Sequence, residues 1–227
     1  LAGVNAASSL PRLPDFYHLW QAKTPDLDPT AWRNIRSDLV PRKAAKRTDV
    51  NQKTGRPDLA QQPFVFCPLQ VPGDSQITVF GDWIASVEGM IDHVVAASEA
   101  LPEGWHLRIK EHPSARQSLA GRIAATSGGR VVLDNETNTI DQVAAARAIL
   151  TVNSSVGFEA LFFDKPVIVL GRALYAIEGV ATKTSSPSEL ERCLRAVDEL
   201  GFDRALRNAF MSYVTEVQFP FEKTVMA

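Results

Sequence analysis

From Pro63 onward, short and almost wholly apolar runs alternate with longer stretches whose apolar residues recur at helical spacing. No other feature constrains the fold of this chain as much. The strand-length runs cover 64–69, 105–110, 130–133, 148–152 and 166–170. Helical spacing predicts helices over 78–100, 114–127, 139–146 and 155–163, with two amphipathic helices over 187–200 and 202–217 closing the chain. Strands that are apolar on both sides must be covered on both sides, which predicts a parallel sheet rather than a half-solvated antiparallel one. Right-handed crossovers then give an α/β fold: a Rossmann-like parallel sheet with helices on both faces. In such a sheet, ligands bind beyond the carboxyl ends of the strands, where the connecting loops gather.

The 227 residues suffice for one such domain, expected over 63–227, plus an appendage. Residues 1–62 form that appendage: a helical or irregular N-terminal segment and linker, rich in Pro and charge. Short helices are expected over 14–22 and 29–40, anchored by Trp20, Trp32, Ile35 and Leu39. Arg33, Arg36, Arg42, Lys43, Lys46 and Arg47 form a basic cluster. It reads either as a solvated connector packing against a neighbouring domain or as an electropositive edge facing an anionic membrane or acceptor. A net charge of −2 gives the whole chain no electrostatic footprint for nucleic acid. Cys67 and Cys193 read as two buried thiols in a reducing, cytoplasmic compartment. No apolar run approaches the roughly 20 residues that cross a bilayer. The first residues carry no basic segment followed by an apolar stretch, and the chain opens on Leu1 rather than Met. The expectation is a trimmed chain without a secretory leader, lacking an N-terminal partner domain.

Four loops follow strands on the same predicted edge: Gln70 to Gln76, Glu111-His112-Pro113, Asn153 to Gly157, and Gly171 to Tyr175. Asn153-Ser154-Ser155-Val156-Gly157 opens directly into a helix. The first amides of a helix lack intrahelical partners and can hold a phosphate, while serine hydroxyls and a small Gly157 let an anion approach. The same residues also suit plain helix capping, by Ser154 or Ser155 with Glu159 near the start. His112 at a strand end can donate to a phosphate or sugar oxygen, or can simply be a surface histidine before the turn that Pro113 sets. Asp74, between Gly73 and Ser75, is either a carboxylate for chemistry or the Asx-turn and N-cap of the following helix. His93 and His106 read as packing or solvent-facing side chains. No Cys/His cluster or paired carboxylate has metal-ligand spacing, so no metal and no cofactor is expected. Neither a dinucleotide fingerprint nor a P-loop occurs.

The order PLQVPGDSQI, then LRIKEHP, then TVNSSVGFEALFFDKPVIVLGRALY resembles the capsule polysaccharide biosynthesis family, over a stretch from about Ser8 to Tyr175. The HP and SS pairs are also similar to those of bacterial sialyltransferases. The resemblance implies one half of a GT-B-like glycosyltransferase, the nucleotide-sugar-binding half. It also implies a retaining transfer of Kdo, or a similar ulosonic acid, from a CMP-sugar donor to a lipid or polysaccharide acceptor. His112, with Pro113, would meet the CMP phosphate or the departing cytidylate, Ser154 and Ser155 would hold that phosphate, and Glu159 would bind a ribose hydroxyl or brace the loop. Asn153 and Gly157 belong to the same motif. Asp74 would be the nucleophile, with His112 also counted as catalytic. Gln70 and Gln76 would orient the carboxylate or sugar, and Lys110 and Arg172 would meet the donor's negative charge. The resemblance also implies a front domain supplying acceptor contacts, which this stretch of sequence is expected to lack. The implied setting is cytoplasmic, peripheral to the inner membrane or within a capsule-assembly complex. Two other readings stay open: a non-catalytic CMP-sugar-binding module of an assembly or export complex, and a GT-B epimerase or transferase using a UDP-sugar.

Overall fold

A computed structural model describes residues 57–126 and 128–215, together with Thr30 and Arg33. Six strands form one sheet: β1 (Phe64–Pro68), β2 (His106–Lys110), β3 (Val131–Leu133), β4 (Ala148–Thr151), β5 (Val167–Val169) and β6 (Thr182–Lys183). All pairings are parallel, and the order is β3-β2-β1-β4-β5-β6. The α/β, Rossmann-like expectation therefore holds. The chain winds outward from β1 through β2 to β3, then returns to lay β4 on the other side of β1. That reversal is the topological switch point, where loops leave in opposite directions and open a crevice.

Side-chain alternation along the strands builds two cores. Val65 and Cys67 of β1 point to one face, with Leu107, Ile109, Leu150 and Ile168. Helices α2 (Val87–Ser98), α3 (Ala120–Thr126) and α6 (Pro187–Arg195) cover that face through residues such as Ile91, Val94, Ile123, Leu190 and Leu194. Phe64 and Phe66 point to the other face, with Ile149, Val167 and Val169. Helices α4 (Thr139–Ala145), α5 (Ser155–Leu161) and α7 (Arg204–Tyr213) cover it through Val143, Leu161, Phe210 and Met211. Each fully buried large side chain, such as Phe66, contributes roughly 1.5–3 kcal/mol. Leu59, in the short 3-10 turn Pro57–Ala60 ahead of β1, packs into the second core. Cys67 and Cys193 are buried and unpaired, and burial pushes their thiols up to about 12 and about 11, out of reach of thiolate chemistry.

Three local expectations are corrected. The single helix expected over 78–100 is two: α1 (Ser75–Phe80) and α2, separated by a turn. The chain breaks at Gly81, where any Cβ would collide with the Ile84 carbonyl and lie 2.5 Å from that of Ile77. Asp82 then takes a left-handed φ of 53°, and Ser86 caps α2 through Gly89 N–H. Trp83 stays on the core from within this turn, its indole N–H bound to Thr184 O at 2.9 Å and its ring against His93. The helix expected over 114–127 begins only at Ala120, because the Glu111 carboxylate captures the preceding residues. The sixth strand was not expected at all.

The helices expected over 14–22 and 29–40, and most of the basic cluster, lie outside the described residues. Arg33 is described: it donates to Asp164 Oδ2 (2.7 Å), Asp164 Oδ1 (3.3 Å) and Asn208 Oδ1 (3.1 Å), tying the appendage to the domain. Among the described residues no helix is long and apolar enough to cross a membrane.

Candidate functional site

At the switch point the first loops to diverge are those after β1 and β4, and two amides hold them together. Gln70 Nε2 donates to Asn153 Oδ1 at 2.9 Å, and Asn153 N–H donates to Gln70 Oε1 at 3.3 Å. Both side chains are buried. Beside this seam lies a cavity of about 200 Å³, smaller than most whole-ligand sites but with room for part of a nucleotide. Its walls include Leu69 from the β1 loop, Lys110 to Pro113 from the end of β2, Asn138 to Ile140 at the start of α4, and Ser154 to Val156 with Glu159 at the start of α5. The histidine and the serine pair, 42 residues or more apart in sequence, thus face one space.

The two serines divide their work. Ser154 is the N-cap of α5: its hydroxyl accepts from Val156 N–H at 3.2 Å, while its own N–H donates to Thr151 Oγ1. Ser155, exposed on the cavity wall, has no described partner for its N–H or its hydroxyl. The capping and anion-binding readings are therefore carried by different residues. His112 Nδ1 accepts from Ser114 N–H at 3.0 Å, which puts the proton of the neutral ring on Nε2, the nitrogen able to donate to a ligand. Lys110 is buried and donates to Asn135 O (2.8 Å) and Thr137 O (2.9 Å). It thereby fixes the loop that delivers the start of α4, while placing a positive charge under the cavity.

The remaining walls are held by carboxylates. Glu111 accepts from Ser118 Oγ at 3.0 Å, Leu119 N–H at 2.5 Å and Asn135 Nδ2 at 2.8 Å, which rigidifies the loop carrying His112. Asp134 accepts from the amides of Glu136 and Thr137 and from the Thr137 hydroxyl (2.6 Å). Burial pushes its carboxyl up, but these bonds and the Arg108 guanidinium outweigh burial and hold it below the usual value.

Other sequence-predicted residues lie outside the cavity. Asp74 is the N-cap of α1, its Oδ1 accepting from Gln76 N–H at 2.9 Å; Oδ2 has no described partner. Gln76 offers its backbone carbonyl to Asn153 Nδ2 at 2.7 Å. Arg172 pairs with Asp82 (3.2 Å), lies over the Phe80 ring and donates to Val79 O, so it clamps the end of α1. Gly157 is buried, and its missing Cβ faces Tyr175 and Thr151 rather than a ligand. A Cβ there would lie 2.7 Å from Tyr175 Cζ and 2.9 Å from Thr151 Cγ2, closer still to the phenol oxygen. The reason for glycine is helix–sheet packing, not anion approach. Tyr175 in turn donates to Ser154 O at 2.5 Å, supporting the serine turn from beneath.

Gly157→Ala is therefore expected to cost about 1–3 kcal/mol in urea denaturation through overpacking. The double variant with Tyr175→Phe should recover part of that loss by removing the nearest atom. If the double variant is no more stable than Gly157→Ala alone, the Tyr175 contact is not the cause.

Sequence reasoning missed the start of α4 as a cavity wall. Asn138 caps that helix through Ile140 N–H at 2.8 Å, and the Asn-Thr pair before a periodic stretch is an N-cap signature. A helix following β3, at the sheet edge beside β2, must begin on the same side as the other loops.

Residues 46–221 match the model of a family described as capsule polysaccharide biosynthesis protein. Protein FixF of Sinorhizobium fredii is 34% identical over 212 residues, covering 93% of this chain and 48% of its own. The capsule polysaccharide export protein KpsS of Escherichia coli is 28% identical over 229 residues, covering 78% and 58%. The chain thus spans about half the length of the curated relatives it matches. Among solved structures, a KpsC β-Kdo 2,4 transferase of Thermosulfurimonas dismutans matches with TM-score 0.48 and 21% identity, over 89% of this chain and 55% of its own.

Proposed function

Because the chain belongs to the capsule polysaccharide biosynthesis family, we propose that its described domain is the donor-binding half of a glycosyltransferase. Its donor is a CMP-linked ulosonic acid such as Kdo, and its acceptor a lipid or glycan in surface-polysaccharide assembly. The work takes place in the cytoplasm, at the inner membrane or within a capsule-assembly complex. One observation carries the reading: His112 and Ser155 line the same cavity at the switch point, with the Ser155 hydroxyl and amide uncommitted and Lys110 beneath. The phosphodiester of a CMP-sugar lodged there gains hydrogen bonds from Ser155 and from His112 Nε2, and these strengthen as charge develops on the phosphate of departing CMP, a monoester. Glu159 on the same wall suits a ribose hydroxyl.

In the transfer itself, the Asp74 carboxylate attacks the anomeric carbon and the bond to the CMP phosphate oxygen breaks. The acceptor hydroxyl then attacks the anomeric carbon, gives its proton to a general base on the transferase's other half, expels Asp74 as a carboxylate and restores the original configuration. The second reading is a non-catalytic CMP-sugar-binding module. It is favoured by the place of Asp74, outside the cavity with one oxygen already capping α1.

Thermal unfolding of the intact protein with CMP or UDP tests the donor. CMP at 100 times its dissociation constant is expected to stabilise by about 2.7 kcal/mol, and UDP at the same concentration by far less. Ser155→Asp keeps an exposed residue that favours a helix start, yet places a negative charge against the phosphate. It should leave the unliganded melting temperature in place and abolish the CMP shift. Equal shifts with CMP and UDP, or a CMP shift that survives Ser155→Asp, would overturn the assignment.

A further inference from the structure

We infer that Gln70 and Asn153 form a positioning pair that sets Asp74 against the phosphate turn, and that neither contacts the donor. The inference rests on the reading of Asp74 as nucleophile. It starts from a weakness in α1: six residues are too few to hold a helix by internal bonds alone, and α1 buries only Ile77. Something else must keep it in place, and with it Asp74, which is joined to α1 as its N-cap.

Arg172 clamps the C-terminal end of α1, its backbone N–H donating to Phe80 O at 2.8 Å, and Asn153 supplies the hold that reaches the end carrying Asp74. Its Nδ2 donates to Gln76 O at 2.7 Å and to Phe80 O at 3.4 Å, contacts at both ends of α1. Its Oδ1 and N–H are taken by the two polar ends of Gln70, which locks the amide orientation. Each side chain is 7% exposed, and neither lines the cavity. Asn153 also directly precedes Ser154 and Ser155, so one buried amide ties the helix that carries Asp74 to the turn that faces the phosphate. Across this link the spacing between nucleophile and leaving group is fixed before any donor arrives. Misplacement by about 1 Å in such an arrangement costs on the order of 10²-fold in rate.

Asn153→Asp preserves shape but turns an oxygen towards the two α1 carbonyls, and Gln70→Met removes the lock while leaving Asn153 in place. In the intact protein, kcat per folded molecule should fall about 10²-fold for Asn153→Asp and about tenfold for Gln70→Met. CMP affinity and donor KM should stay within about twofold of wild type in both. The double variant should be no worse than Asn153→Asp alone, because the two residues act as one unit. A tenfold loss of CMP affinity or rise in donor KM with kcat retained would make them donor ligands and overturn the inference; so would an unchanged kcat in both. Asp74→Asn is run in parallel. If it keeps transfer, the nucleophile reading fails; if it is inactive while both amide variants keep wild-type kcat, only the positioning role fails.

Discussion

Asp74→Asn is expected to lower sugar transfer by the intact protein on the order of 10⁴-fold while leaving its melting temperature unchanged. The two effects separate because asparagine caps a helix as well as aspartate does, so the bond to Gln76 N–H survives. An amide, however, cannot form the glycosyl ester that a retaining transfer passes through. Alanine would blur the outcome, since loss of the cap alone costs about 1 kcal/mol. Product formation and CMP release read the rate, and mass spectrometry of the trapped protein reads an adduct on Asp74. Transfer at the wild-type rate would leave Asp74 as a cap only and give the non-catalytic module the stronger claim.

The second large effect lies far from the cavity. Arg207→Ala is expected to destabilise the domain by about 2–5 kcal/mol. Arg207 is 1% exposed, and its guanidinium donates to Lys165 O at 2.8 Å and Val180 O at 2.6 Å, joining α7 to the turn before β5 and to the loop that leads into β6. Its carbon also sits 3.3 Å from the centre of the Phe202 ring. Burial pulls the guanidinium down to about 9, with Asp164 pulling it back up. Truncation leaves two carbonyls without their donor and opens a cavity against Phe202. Total stabilities of 5–15 kcal/mol make such a loss enough to unfold a substantial fraction. Urea titration measures it, and a loss below about 1 kcal/mol would show that the carbonyls find other partners.

The sheet was legible because its strands are apolar on both faces and short, a pattern that few other folds accept. The break between α1 and α2 was harder to see. Trp83, Val87 and Ile91 keep helical spacing through it, since Trp83 reaches the same core from a turn. The local clue was Gly81-Asp82, which the apolar periodicity concealed. The delayed start of α3 depends on Glu111, which captures Ser118 and Leu119 through tertiary contacts that no local pattern encodes. β6 is two residues of polar sequence and gives no signal. At the site, the histidine and serine pair were readable because strand ends share an edge in a parallel sheet. Gln70, expected to orient the carboxylate or the sugar, and Asn153, expected as part of the serine motif, gave no sign in sequence of bonding to each other, because only the structure places residues 83 apart side by side.

The strand order also bears on how the chain is made. β1 lies in the middle of the sheet, and one of its edges is matched by β4, which begins about 80 residues after β1 ends. At roughly 5–20 residues per second, a ribosome needs about 4–16 s to deliver that partner. For that interval the Val65–Phe66 edge stands open on a nascent half-sheet whose apolar faces are only partly covered. The same reversal that opens a ligand crevice in the finished domain thus creates, during translation, a period in which a chaperone or a second nascent chain can reach that edge first.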